Sequence, residues 1–66
     1  MKIYNSVNYD DMRVGEKVRD NFFGSIWKVV RNVPNGAVIK NIKGGDKGAV
    51  MTVTPDVTTM MFQTIE

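Results

Sequence analysis

Gly24-Ser25-Ile26-Trp27-Lys28-Val29-Val30-Arg31-Asn32, Ala37-Val38-Ile39-Lys40-Asn41-Ile42 and Ala49-Val50-Met51-Thr52-Val53-Thr54 read as three consecutive strands, separated by Pro34-Asn35-Gly36 and Lys43-Gly44-Gly45-Asp46-Lys47-Gly48. Asn-Gly tolerates the positive φ angles of a tight hairpin, and Pro34 presets its own φ, so the first connection is a sharp turn. The second is longer and glycine-rich, which suits a loose hairpin tip or a place where a ligand approaches the backbone. In the first strand Trp27 and Val29 fall on one face and Ile26, Lys28 and Val30 on the other. Apolar groups on both faces suit a curved strand in a small barrel better than a flat one-sided sheet.

Upstream, Met12 to Arg19 reads as a strand entered through a tight turn at Gly15, with Val14 and Val18 facing inward. Asp20-Asn21 is a turn signal, and Phe22-Phe23-Gly24 completes the loop. Residues 2–9 alternate loosely, with Ile3, Val7 and Tyr9 as the apolar positions, and are expected to form an N-terminal arm or an irregular edge strand. Downstream, Thr54-Pro55-Asp56 combines an N-cap, a proline at the first helical position and an acid near the positive end of the dipole. Val57, Met60 and Met61 follow at helical spacing, which predicts a single 3₁₀ turn before Phe62 to Ile65 returns as the last strand. The expectation is therefore an all-β chain: one domain over residues 1–66, five strands, a short helical turn before the last of them, and an arm at 1–11.

Composition narrows the function classes. At 66 residues the chain has one core and buries only about 60% of the surface its unfolded form exposes. With no cysteine and no histidine, disulfides and zinc cages are excluded as staples. The same absence leaves catalysis to Asp, Glu, Lys, Tyr, Ser or Thr; Asp10-Asp11, the adjacent acidic pair, sits where a turn uses aspartate for backbone hydrogen bonds. Gly44-Gly45-Asp46-Lys47-Gly48 leads into a strand and so lacks the helix N-terminus of a phosphate loop. No enzyme and no cofactor are expected. The opening residues carry no continuous apolar run, and no run reaches the roughly 20 residues of a membrane span. A cytoplasmic protein without a membrane partner is the expectation.

The order of strand, loop, three-strand meander, helical turn and final strand resembles the SH3-like small barrels, the group that includes SH3, Tudor and KOW-type domains. Val14-Gly15-Glu16-Lys17-Val18, Gly24 to Val30 and the Thr54-Pro55-Asp56 turn with its tail to Ile65 carry the likeness. The acidic, aromatic-rich loop of proline-binding SH3 domains is missing, and Trp27 with Phe22 or Phe23 makes only part of a Tudor-like cage. The brevity of the chain also resembles small bacteriophage and prophage proteins. These likenesses imply a non-catalytic binding module, such as a phage-type accessory protein docking on a host protein or nucleic acid.

The candidate binding residues are Arg19, Phe22, Phe23, Trp27, Lys28 and Lys40. Trp27 reads either as a core anchor or as a stacking platform. Phe22 and Phe23 cannot easily both point inward, so one is expected at the surface, as a partner's anchor or as a lid over the barrel end. Lys17, Arg19, Lys28, Arg31, Lys40, Lys43 and Lys47 lie in the barrel half of the chain, where they form either a phosphate-binding face or an ordinary solvated surface that blunts strand edges. Met51, Met60 and Met61 could fill a small core or build a homo-oligomer interface. Two other readings remain: an oligomer that sequesters a small anionic, nucleotide-like ligand, and a structural component whose arm pairs with a neighbour's sheet edge.

Overall fold

A computed structural model describes residues 1–65. The chain is all-β: β1 (Ile3–Tyr4), a 3₁₀ helix (Tyr9–Asp11), β2 (Lys17–Asp20), β3 (Ile26–Val33), β4 (Gly36–Lys43), β5 (Val50–Val53) and β6 (Phe62–Thr64). All the strands join one antiparallel sheet in the order β1-β6-β2-β3-β4-β5. It has six strands where five were expected, because Ile3–Tyr4 pairs with β6 as an edge strand. The sheet is not closed: β1 and β5 are its two edges. Among the described residues no helix is long and apolar enough to cross a membrane.

The central hairpin forms as its turn chemistry predicts. Asn35 takes a φ of 63°, and Pro34 before it gives the proline-then-positive-φ order of a type II turn. Gly36 opens β4 under the carbonyl of Val53, where a Cβ would collide with that backbone. Register shifts between Ile26 and Trp27 and between Val29 and Arg31 interrupt the β3–β4 ladder. Such bulges bend a strand and increase its twist, and they curl this sheet around its own inner face. Tyr4, Tyr9, Met12, Val18, Trp27, Val29, Ala37, Ile39, Val53 and Phe62 fill that face.

Three local expectations fail for identifiable reasons. Val14 is exposed, because Arg13 to Glu16 forms a turn closed by the Glu16 amide on the Arg13 carbonyl, and β2 starts only at Lys17. Ile3 and Val7 are exposed while Tyr4 and Tyr9 are buried. Side-chain bonds of Asn5 and Asn8 coil the arm back, with the Asn8 carboxamide on the Ile3 carbonyl, and so reset its alternation. The helical turn lies at Tyr9–Asp11 and not before the last strand. At 54–61 the chain makes one turn, with the Val57 and Thr58 amides on the Thr54 carbonyl, and then runs on without helix. Long-range bonds claim its backbone: Asn21 exchanges two hydrogen bonds with the Met61 backbone, and the Tyr9 hydroxyl donates to the Met60 carbonyl. Val57 and Met61 are therefore exposed, and Met60 packs against the core beside Met51.

Candidate functional site

The outer face of β2, β3 and β4 carries a row of charge. Lys17 stands opposite Lys28 across β2 and β3, and Lys28 opposite Lys40 across β3 and β4. All three are exposed, and adjacent strands lie about 4.8 Å apart, so three cations share a narrow band. Like charges directly opposite one another destabilise a sheet. Among the described residues no carboxylate lies within 4.0 Å of any of them; the ion pair found joins Lys2 to Asp11 elsewhere. Arg19, two residues beyond Lys17 on β2 and also exposed, extends the band toward the Phe22-Phe23 loop.

Both phenylalanines of that loop are exposed, 62% for Phe22 and 85% for Phe23, where only one was expected to be. Their rings lie 6.3 Å apart at 48°. The loop is held by Asp20. Its Oδ1 accepts the backbone N–H groups of Phe22 (2.9 Å), Phe23 (2.6 Å) and Gly24 (3.2 Å). Its Oδ2 accepts the indole N–H of Trp27 at 2.9 Å. Burial pushes the Asp20 carboxyl up, but the bonds from Trp27 and from the three amides outweigh it and hold the group below its ordinary value. A buried carboxylate thus fastens two surface aromatics to the core tryptophan. By sequence Asp20 reads only as a turn residue; the signal for its wider role is an aspartate two to four residues before Phe22-Phe23-Gly24, the spacing of side-chain-to-amide capping.

Behind the loop lies a pocket of about 540 Å³. It is lined by Trp27, Asn41, Met51 and Met60, by Arg19 on β2, by Phe23 to Ile26 and by Lys43 to Asp46. Gly44 is required here. It takes a φ of 150° and packs on Ser25, whose side chain a Cβ would strike. Trp27 is 7% exposed, so it is a core residue that lends an edge to the pocket. Asn41, its register partner on β4, is 2% exposed, and among the described residues its Oδ1 has no hydrogen-bond partner.

The candidate residues therefore fall into two connected groups. Arg19, Phe23 and Trp27 meet at the pocket, whereas Lys28 and Lys40 belong to the band on the outer face and Phe22 stands beside Phe23 at the surface. Asp20 and Asn41 were missed. No protein-family model matches this chain, and no curated protein or solved structure matches it either.

Proposed function

We propose that the chain is a non-catalytic binding module of SH3-like design that engages single-stranded nucleic acid through its outer basic band and the aromatic loop beside it. The SH3-like design is supported by strands β2 to β6, which run in the order β6-β2-β3-β4-β5, the last strand returning beside β2, the strand that precedes the meander. The nucleic-acid reading is carried by one observation: Lys17, Lys28 and Lys40 stand in register and exposed, with no acidic partner within 4.0 Å among the described residues. A sheet stabilised for its own sake would alternate the signs of these charges. A polyanion supplies the missing partner, and release of its counterions supplies much of the affinity. Exposed Phe22 and Phe23 favour a single strand over a duplex, since aromatic rings stack on bases that are not already paired.

Anisotropy titration of a labelled single-stranded oligonucleotide across a salt series tests this. Binding is expected to weaken steeply as salt rises. Lys28→Glu combined with Lys40→Glu is expected to reduce affinity at least tenfold and to flatten the salt dependence by about 1.4 in slope, two contacts' worth for single strands. Salt-insensitive binding, or binding that ignores the double substitution, overturns the reading. In that case capture of a defined host protein through Phe22 and Phe23 becomes the better account.

A further inference from the structure

We infer that the pocket behind the Phe22-Phe23 loop receives one unpaired nucleobase, whose edge Asn41 recognises. This rests on the nucleic-acid reading above and adds a specificity element to a band that by itself contacts only phosphates.

Asn41 occupies a position that a core would give to an aliphatic side chain. It follows Ala37 and Ile39 at two-residue spacing on β4, and both of those are fully buried in the apolar core. Among the described residues its Oδ1 is the buried side-chain polar atom with no partner. A buried acceptor without a donor is destabilising, and native cores rarely keep one without a further role. Here the orphan sits in the lining of a cavity within the 300–1,000 Å³ typical of ligand pockets. The Oδ1 is itself buried, so it meets a ligand only once the carboxamide turns about its terminal torsion, which is broad.

The chemistry around it selects the occupant. A carboxamide offers an acceptor and a donor side by side, the complement of a base edge such as N6 and N7 of adenine. Trp27, Met51 and Met60 give an apolar enclosure for a flat ring, and exposed Phe23 stands at the mouth, where a neighbouring base can stack. Arg19 and Lys43 bring positive charge to the rim for the attached phosphate. Asp46, exposed and also in the lining, sets one negative charge against these two positive ones. An aliphatic or purely aromatic side chain from a protein partner would fill the cavity but leave Asn41 unpaired. A nucleobase from a strand and one from a free nucleotide share this chemistry.

Trp27 is the sole tryptophan and lines the pocket, so its fluorescence reports occupancy, and the Asn41 side-chain amide signals in an NMR spectrum report contact. Titration uses short single-stranded homo-oligomers of each base and, separately, the four nucleoside monophosphates. The expected result is that oligomers shift both reporters and that one base is preferred by about tenfold, the discrimination of one bidentate pair. Asn41→Leu is expected to level that preference while leaving the salt dependence intact; Asn41→Ala serves if leucine disturbs the fold. Monophosphates shifting the reporters with the same preference would assign the site to free nucleotides, while response to strands alone would assign it to nucleic acid. If oligomers bind with normal salt dependence but Trp27 and Asn41 do not respond, the pocket inference fails and the basic band stands. Monophosphates that bind through Asn41 while oligomers do not bind at all would sink the band and keep the pocket.

Discussion

The two buried tyrosines and the two exposed phenylalanines mark opposite treatments of polar chemistry in one small sheet. On the tyrosine side every hydroxyl is satisfied. Tyr4 donates to the Glu16 carboxylate, 2.8 Å from one oxygen and 2.9 Å from the other, and Tyr9 donates to the Met60 carbonyl. Glu16 also accepts the Arg13 amide, and Lys2 both pairs with Asp11 at 3.7 Å and lies 5.0 Å over the Tyr4 ring. On the phenylalanine side two rings lie in solvent, and among the described residues three facing lysines have no ion-pair partner and a buried carboxamide oxygen has no donor. The first region is organised to hold the fold. The second carries several local costs at once, spread over the Phe22-Phe23 loop and strands β2 to β4, and this is the region in which the proposed function is placed.

Asp20 is the exception at that end, and removing it is the most damaging way to break the contrast. Asp20→Ala strips one indole and three amide donors of their acceptor and is expected to cost about 3 kcal/mol. For a domain of this size total stability is roughly 3–10 kcal/mol, so urea unfolding should show a much lower midpoint or no native baseline. Asp20→Asn keeps an oxygen for the amides and should cost less, with a diagnostic change in pH response. The folded-state value of Asp20 lies below its ordinary 3.8, so its stabilisation is present above that pH and is lost as pH falls through the lowered value. Acid-induced weakening measured by urea titration should therefore be smaller in Asp20→Asn than in the parent protein.

The tyrosine side responds at the other end of the pH scale. Burial, and then the Glu16 carboxylate that accepts its hydrogen bond, push Tyr4 up from 10.0 to about 12. The folded state thus prefers the neutral phenol. Its stabilisation is complete below pH 10 and is lost as pH rises toward 12. Tyr4→Phe is expected to cost about 1–2 kcal/mol at neutral pH. It should also reduce the alkaline loss, leaving the part due to Tyr9, which burial raises as well. Equal alkaline sensitivity in the variant and the parent protein would detach Tyr4 from this role.

What the sequence disclosed follows from how local each determinant is. The β3–β4 hairpin is legible because Pro34-Asn35-Gly36 and alternating apolar residues act within a few positions of one another. The exposure of Lys28 and Lys40 follows from the same alternation, although their alignment with Lys17 needs the pairing of β2 with β3. The helical spacing at Val57 to Met61 misleads because bonds from Tyr9 and Asn21, distant in sequence, govern that backbone. Asn41 was open to discovery: it shares inward parity with Ala37 and Ile39, and a polar residue there calls for an explanation. The pocket was not, since it depends on two loops and a turn meeting at one end of the sheet.

The smallest effect gives the sharpest comparison, because it sets one lysine against another. Lys2 has an acidic neighbour and an aromatic ring; Lys28 has a lysine on each side. Lys2→Gln removes an attraction between exposed groups and is expected to lower stability by about 0.2–0.5 kcal/mol. Lys28→Gln removes two repulsions across the strands and should raise stability by a similar amount, about 0.2–1 kcal/mol. Both effects should shrink as salt is added, since the Debye length falls to about 3 Å at 1 M. The decisive observation is the sign. A gain for Lys28→Gln at low salt, joined to weaker oligonucleotide binding, means that the row is kept at a cost to the fold and for the sake of a partner. A loss would mean that the lysine stems contribute packing along the outer face, and the row would then be explained by stability alone.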